Sequence, residues 1–128
     1  MQPASVLLLV EDTDEVREVL EEALFQGGFE LVIAANGTEA LSLLHPHTAN
    51  LHGLITDINL GRGPDGWEVA RRARELLPKL PVVYTSGAEG ADWASRGVPH
   101  STFVNKPFAP AQVITAISAL MNATDVQQ

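Results

Sequence analysis

The stretch Leu54-Ile55-Thr56-Asp57 is a short apolar run that ends in a carboxylate. A buried charge is unfavourable unless it is paired, so a carboxylate at the end of a core strand needs a reason. Taken alone, Asp57 is explained as well by a turn or a helix cap, because Asp is common at both. Two other apolar runs bear on this choice: Val6–Val10, which Glu11-Asp12 follows, and Val82–Ser86, which ends in hydroxyls.

The polar ends of these three runs share one edge if the runs are parallel strands of one sheet. That edge, at the carboxyl ends of the strands, is where open α/β sheets bind ligands. The sequence therefore predicts a ligand site that contains Asp57, Glu11, Asp12 and Ser86.

Length and composition predict one globular domain over residues 1–128, with a core over about residues 5–122 and no linker. A formal net charge of −8 argues against a nucleic-acid surface. The absence of cysteine excludes disulfides and thiolate chemistry. No basic leader and no long apolar stretch is present, so we expect a cytoplasmic protein without a membrane span.

Apolar runs and helical periodicities alternate along the chain. This alternation is typical of an α/β fold, with a parallel sheet that carries helices on both faces. The predicted strands are Val6–Val10, Leu31–Ala34, Leu54–Asp57, Pro81–Ser86 and Thr102–Asn105. The predicted helices are Asp14–Gln26, Glu39–Leu44, Gly66–Leu77, a short and weakly held one at Ala91–Arg96, and one that starts at Pro110.

Several local expectations follow from proline, glycine and aromatic positions. Pro46 should end the second helix, since proline disfavours helix at the residue before it. Trp67 is expected at the rim of the third helix, and the end of the chain, 125–128, should fray. The order of the glycine-rich segment 87–99 and the isomer of the Lys106–Pro107 bond stay open.

Five polar residues, each after a strand, carry the predicted chemistry. Three carboxylates in one cleft repel one another and need a cation, and hard oxygen ligands suit Mg²⁺. Lys106 adds a second positive charge, and Ser86 adds a hydroxyl that can bind a phosphoryl oxygen. A carboxylate with such neighbours can attack phosphorus without a base, because it is already ionised. The five are Glu11, Asp12, Asp57, Ser86 and Lys106.

At this point the sequence resembles the receiver domain of response regulators in two-component signalling, the CheY-like family. The resemblance spans nearly the whole chain, in the family's order and approximate spacing. It implies a flavodoxin-like sheet in the order 2-1-3-4-5. The matching segments are Leu9-Val10-Glu11-Asp12, Thr56-Asp57-Ile58-Asn59-Leu60, Asp65-Gly66, Tyr84-Thr85-Ser86-Gly87 and Lys106-Pro107-Phe108.

The resemblance also implies roles for individual residues. Asp57 would accept a phosphoryl group from a phosphohistidine of a sensor histidine kinase or a histidine phosphotransfer protein. Glu11, Asp12, Asp57 and the backbone carbonyl of Asn59 would hold Mg²⁺. Ser86 and Lys106 would bind the phosphoryl oxygens, and Phe103 with Ser86 would form the switch.

The family implies a bacterial, stand-alone signalling domain that is a phosphoacceptor and not a turnover enzyme. Its switched surface would be the face of the fourth helix, fifth strand and fifth helix, used for an unidentified target or a homodimer. Residues 108–111 and the glycine-rich segment loosely resemble those of some single-domain receivers, and the loop 61–64 is longer than in the chemotaxis receiver. Ala88 cannot hold an attacking water, so the phosphoryl lifetime stays open.

Ordinary structural roles remain open for most of these residues. Phe103 fits plain core packing, Ser86 a turn, and Lys106 a solvated entry to a helix. Glu11-Asp12 can cap a helix, and a metal site made of His45, His47 and His52 is disfavoured because no carboxylate lies near them in sequence.

Two other functions compete with the receiver hypothesis. One is a Mg²⁺-dependent phosphoryl hydrolase or Toprim-like nuclease, but Asp57-Ile58-Asn59 lacks the second Asp of the latter. The other is a binding-only pseudo-receiver, against which the intact set of five polar residues argues.

Overall fold

Strands and helices alternate along the described part of this computed structural model, which comprises residues 4–47, 50–87 and 92–126. The strands are β1 (Val6–Val10), β2 (Glu30–Ala34), β3 (Leu51–Asp57), β4 (Val82–Ser86) and β5 (Ser101–Asn105). The helices are α1 (Asp14–Gln26), α2 (Gly37–His47), α3 (Gly66–Leu76), α4 (Trp93–Arg96) and α5 (Pro110–Val126).

All five strands pair in parallel in the order β2-β1-β3-β4-β5, which confirms the predicted α/β fold and its strand order. The register places Val10 beside Thr56 and Thr56 beside Tyr84. It also places Ser86 beside Asn105. The carboxyl ends of β1, β3, β4 and β5 therefore meet at one edge of the sheet.

Each face of the sheet is covered by two helices. Leu8 and Val10 belong to a core with residues of α2 and α3, whereas Leu7 and Leu9 belong to a core with residues of α1 and α5. Successive side chains of a strand point to opposite faces, so β1 has to be apolar at every position when both faces are buried. This is why β1 reads as an unbroken apolar run.

Helix α1 has the predicted bounds, and the residues next to its two ends mark where it starts and stops. Leu20 and Leu24 are buried on its inner face. Gly27 ends the helix, and Gly28 follows with φ of 94°, a conformation that glycine adopts without a steric penalty. At the other end Thr13 is the N-cap residue, but its side chain makes no capping hydrogen bond.

The predicted end of α2 before Pro46 is wrong, because the helix begins at Gly37 and continues to His47. Pro46 is the last residue but one of the helix, so its missing N–H removes only one hydrogen bond, in the last turn. At the start, Asn36 Oδ1 accepts a hydrogen bond of 2.8 Å from the Glu39 N–H, and Glu39 reaches back to the Ala35 N–H.

Strand β3 starts at Leu51 and is three residues longer than predicted. The added residues include Gly53, which packs closely between β1 and α5. A Cβ on Gly53 would lie 2.8 Å from Leu7 Cδ2 and 3.1 Å from Ile117 Cδ1. A larger residue at 53 would therefore require the tips of the Leu7 and Ile117 side chains to shift.

Trp67 is also not where the sequence suggested. It is buried instead of lying at the rim, with 1% of its surface exposed. Its ring packs at 4.8 Å between centroids on the ring of Tyr84 in β4, and the Arg96 guanidinium lies 5.5 Å from the Trp67 ring. The aromatic pair fills the space between α3 and the sheet.

The two C-terminal helices differ in length and burial. α4 has four residues, Trp93–Arg96, and none is buried, which agrees with the predicted short helix; Ala91 lies outside the described residues. α5 continues to Val126, and no Gly or Pro after Pro110 interrupts the helix. Fraying over 125–128 stays a prediction, and residues 127 and 128 lie outside the described ones. None of the helices described is long and apolar enough to span a bilayer.

Candidate functional site

Five side chains named from the sequence lie at the carboxyl edge of the sheet. Asp57 ends β3 and Ser86 ends β4, whereas Glu11, Asp12 and Lys106 follow directly after β1 and β5. Glu11 and Ser86 are each 1% exposed and Asp57 is 5% exposed, whereas Asp12 is exposed. Four chain segments that are far apart in sequence thus meet in one cleft.

Three carboxylates form the acidic part of this cleft. One oxygen from each of Glu11, Asp12 and Asp57 lies within 4.8 Å of the others, and within the described residues this is the only group of three or more possible metal ligands. The histidine alternative finds no support there: His52 Nδ1 accepts a hydrogen bond from the Val6 N–H, and the side chain of His47 lies outside the described set.

Lys106 pairs with two of these carboxylates. Its Nζ donates a hydrogen bond of 3.0 Å to Oδ2 of Asp57 and lies 3.2 Å from Oε1 of Glu11. The backbone also ties this lysine to the sheet, because the Lys106 N–H donates to the Ser86 carbonyl at 2.9 Å. The Lys106–Pro107 peptide bond is cis, which answers the question that the sequence left open.

Glu11 is held by contacts that sequence reasoning missed. The Thr13 N–H donates to Oε2 of Glu11 at 3.0 Å, and Arg17 donates to the Glu11 carbonyl at 2.9 Å. The same guanidinium pairs with Asp14 at 2.6 Å. Arg17 lies one helical turn beyond the N-cap of α1, and nothing in the sequence signals its contact with the Glu11 carbonyl.

The second carboxylate oxygen of Glu11, Oε1, is the strongest indication that the cleft suits a cation. Oε1 is buried, and among the described side chains it is the one buried nitrogen or oxygen without a hydrogen bond. Lys106 Nζ lies at ion-pair distance from Oε1 but does not meet hydrogen-bond geometry. A buried carboxylate oxygen is costly to leave unsatisfied, so this oxygen and the two Asp carboxylates fit a hard divalent cation.

The electrostatics of the cleft also fit a divalent cation at this position. Burial raises the pKa of Asp57; the hydrogen bond and charge of Lys106 oppose the rise, and the charge of Asp12 adds to it. Burial likewise raises the pKa of Glu11, against the Thr13 hydrogen bond. Burial alone would lower the pKa of Lys106, but its bond to Asp57 and the charges of Asp57 and Glu11 outweigh this and raise it.

Asn59 and Phe103 are the other predicted positions that lie within the described residues. Asn59 is exposed, two residues after Asp57; its backbone makes a hydrogen bond to the Asp57 carboxylate, and its side-chain oxygen accepts from the Gly61 N–H at 3.3 Å. Phe103 lies on β5 beside Tyr84, is half-buried, and packs against the core that α2 and α3 share. Ala88 falls outside the described residues.

The loop after Asp57 is held tightly against the site. A Cβ on Gly66 would lie 2.2 Å from the Asp57 carbonyl oxygen, and the Gly66 N–H donates to the Ile58 carbonyl at 2.7 Å. Asp65 caps α3 by accepting from the Glu68 N–H at 3.0 Å. Asp65 also lies 3.7 Å from Arg96 of α4, so the loop contacts the fourth helix.

Comparison with known proteins places these features in a family. The sequence pattern of the response regulator receiver domain matches residues 7–118 of the chain. A response regulator receiver protein from Anaeromyxobacter sp. (strain Fw109-5) is 34% identical over 113 residues, which are 87% of this chain and 43% of that protein. The chain spans about half the length of the first curated relatives that it matches, for example 51% of a response regulator from Mycobacterium sp. (strain KMS).

Solved structures of similar length share the fold. A response regulator receiver protein from Sinorhizobium medicae WSM419 superposes with a TM-score of 0.90 at 42% identity, over 94% of this chain and 97% of that one. The receiver domain of the hybrid histidine kinase CckA superposes with a TM-score of 0.76 at 30% identity, over 91% and 99% of the two chains.

Proposed function

Because the chain belongs to the response regulator receiver domain family of two-component signalling, we propose that it accepts a phosphoryl group on the carboxylate of Asp57. The observation that carries this proposal is the position of Asp57. Its carboxylate is 5% exposed, lies 3.0 Å from the Lys106 amine, and lies within 4.8 Å of oxygens from Glu11 and Asp12. A buried nucleophile with cationic and metal-ligating neighbours suits attack on phosphorus.

Mg²⁺ is the cation that we propose for the cleft. Glu11, Asp12, Asp57 and the backbone carbonyl of Asn59 would hold it, and the unsatisfied Glu11 Oε1 supports this assignment. When bound, the ion would offset the charge that accumulates on the phosphoryl oxygens.

The transfer step is a displacement at phosphorus. An oxygen of Asp57 forms a bond to phosphorus while the bond from phosphorus to the imidazole nitrogen of a phosphohistidine breaks. The imidazole leaves with that electron pair and takes a proton from water. Lys106 already faces the attacking carboxylate, so it is placed to neutralise the phosphoryl oxygens as they approach.

The donor would be a sensor histidine kinase or a histidine phosphotransfer protein. An apolar groove of about 500 Å³ opens beside the acceptor, between α1 and the segment after β5. A helix that presents a phosphohistidine could pack its apolar face there. The groove is lined by Glu15, Val16, Val19, Lys106, Pro107, Phe108 and Pro110.

Phosphorylation would act as a switch on the surface formed by α4, β5 and α5. The new charge would draw Ser86 and Lys106 inward, and Phe103 would respond in the neighbouring strand. Two features support this surface: no residue of α4 is buried, and Phe103 lines a groove of about 600 Å³ without charged lining residues. An unidentified target protein, or a second copy of the chain, would read the change.

The chain acts as a phosphoacceptor in this proposal and not as an enzyme with turnover on free substrates. Kinases of this kind form their phosphohistidine from ATP, so the proposal also places the chain in the cytoplasm.

Incubation with acetyl phosphate and Mg²⁺, followed by intact mass spectrometry, tests the proposal. The wild-type chain should gain one phosphoryl group, and EDTA should prevent the gain. Asp57→Asn should gain none, whereas the exposed control Asp92→Asn should behave as wild type. A phosphoryl group on the folded Asp57→Asn protein would overturn the assignment.

A further inference from the structure

A second groove on α1 is distinct from the groove proposed above for the phosphohistidine helix, which is lined by Val16, Val19 and Phe108 among others and is called the donor groove below. The second groove has a volume of about 460 Å³ and runs between the C-terminal half of α1 and strand β2. We call it the α1–β2 groove. Its lining residues are Glu18, Glu21, Glu22, Phe25, Leu31 and Ile33, and none of them lines the donor groove.

The α1–β2 groove has an apolar floor that the fold does not cover. Phe25 is 75% exposed, the most exposed of the large apolar side chains described. Leu31 and Ile33 beneath it are only partly buried. An aromatic side chain left in water at the wall of a groove is typical of an anchor for a partner, because aromatic residues are enriched in interface cores.

The rim of the groove is strongly negative. No ion pair joins Glu18, Glu21 or Glu22 to a cation in the described ranges. The last turn of α1 carries no basic residue, so the negative end of the helix dipole adds to these carboxylates beside Phe25. Arg17, whose guanidinium pairs with Asp14, is the cation whose charge acts on Glu18 and Glu21, and Glu22 accepts a hydrogen bond from Gln26. The groove therefore combines an apolar floor with a rim of three glutamates that no ion pair neutralises.

The negative charge of the rim determines which kind of molecule can cover the groove. A second copy of the chain also carries a net charge of −8, and anionic lipid and nucleic acid are repelled in the same way. A cationic protein segment meets both requirements, since its apolar residues can contact Phe25 while Lys or Arg side chains face the glutamates.

We infer that the α1–β2 groove binds a basic amphipathic helix of a partner protein, with Phe25 as the apolar anchor. This site is separate from the donor groove and from the face of α4, β5 and α5. A partner at the α1–β2 groove can therefore stay bound while the donor exchanges. The inference does not depend on phosphorylation of Asp57.

The probe for a test is a synthetic helical peptide with Leu on one face and Lys on the other. A matched peptide carries Glu in place of Lys. Titration into the ¹⁵N-labelled chain should shift the amide resonances of residues 18–25 and 31–33 first. The Lys peptide should bind at least about tenfold more tightly than the Glu peptide, and added salt should weaken it.

Two variants and one control locate the binding. Phe25→Ser, and the triple change of Glu18, Glu21 and Glu22 to Gln, should each weaken binding of the Lys peptide about tenfold. Val19→Ser removes another exposed apolar residue of α1 that lines the donor groove, and it should change the affinity less than twofold. All of these side chains lie outside the core, so thermal unfolding should confirm folded variants.

Three results would overturn the inference. One is unchanged affinity in Phe25→Ser. Another is a set of shifts that centres on residues 106–110 or spreads evenly over the acidic surface. The third is a concentration-dependent dimer, seen by sedimentation, that Phe25→Ser abolishes, because the groove would then be covered by a second copy.

Discussion

The amine of Lys106 donates a hydrogen bond of 3.0 Å to Oδ2 of Asp57, across 49 residues of sequence. The same amine lies 3.2 Å from Oε1 of Glu11. Two buried carboxylates therefore share one lysine. Their charges raise the pKa of Lys106, and the charge of Lys106 opposes the rise that burial causes in the pKa values of Asp57 and Glu11. Lys106 is the only protein cation paired with these acids among the described residues.

Lys106→Ala should destabilise the metal-free chain by about 1–3 kcal/mol at neutral pH, because two buried carboxylates lose their common partner. Urea unfolding in EDTA measures this loss. Lys79→Ala, which changes an exposed lysine outside the cleft, should stay within about 0.5 kcal/mol of wild type. Equal stability of the two variants would mean that Lys106 does not offset the charge of the acids.

The pH dependence of stability should carry the signature of the acidic cleft. Burial raises the pKa of Asp57 and Glu11 in the folded chain, so the folded state binds protons more tightly than the unfolded state. The contribution of these groups to stability should therefore fall as pH rises from about 4, the unfolded pKa, through the raised folded values. Above those values the loss is complete and constant.

Asp57→Asn isolates this effect. In EDTA near neutral pH its Tm should exceed that of wild type by roughly 2–5 °C, since one buried charge is gone. The difference should shrink as pH falls towards about 4. Mg²⁺ should raise the Tm of wild type more than that of the variant. A Tm difference that is independent of pH, or a lower Tm in the variant, would contradict the claim that the buried charge of Asp57 destabilises the folded chain.

Gly66→Ala should destabilise the chain by about 2–4 kcal/mol, although alanine favours helix more than glycine does. Its Cβ would lie 2.2 Å from the Asp57 carbonyl oxygen and 2.7 Å from Ile58 Cα, so the turn that carries Asp57 has to move. Gly87→Ala is the matched control, because its Cβ would meet no atom within 4 Å. Urea unfolding compares the two variants. An unchanged free energy of unfolding in Gly66→Ala would show that the turn moves without cost.

Tyr84→Phe should loosen the connection between β4 and the segment after α4. The Val98 N–H donates to the Tyr84 hydroxyl at 3.0 Å, and the variant keeps the ring that packs on Trp67. Loss of this acceptor costs about 1 kcal/mol, so exchange of the Val98 amide hydrogen should quicken severalfold. The amide of Val83, in the middle of β4, serves as the internal reference, and equal protection of Val98 in both proteins would refute the connection.

The strands and α1 were predictable because each has one dominant local signal. Every residue of β1 is apolar since both faces of the strand are buried, and Gly27-Gly28 marks the end of α1. The start of β3 and the burial of Trp67 were missed because both depend on contacts with distant segments. Leu51 and Gly53 pair with Val6 and Leu7 of β1, and Trp67 packs on Tyr84.

The same contrast between predictable and unpredictable features applies to the candidate site. Topology alone brings the ends of β1, β3, β4 and β5 together, so Glu11, Asp12, Asp57, Ser86 and Lys106 could be named in advance. The contact of Arg17 with the Glu11 carbonyl depends on a side-chain conformation that no spacing rule specifies. The α1–β2 groove was likewise invisible in the sequence, since exposure of Phe25 depends on how α1 packs.

Paramagnetic broadening by Mn²⁺ tests the central claim most directly, namely that distant segments form one divalent-cation pocket around Asp57. In the ¹⁵N-labelled chain, substoichiometric Mn²⁺ should first erase the amide signals of residues 11–13, 57–59 and 106, and excess Mg²⁺ should restore them. Loss of signal that begins at residues 18–22, or that leaves residues 57–59 unaffected, would contradict the account.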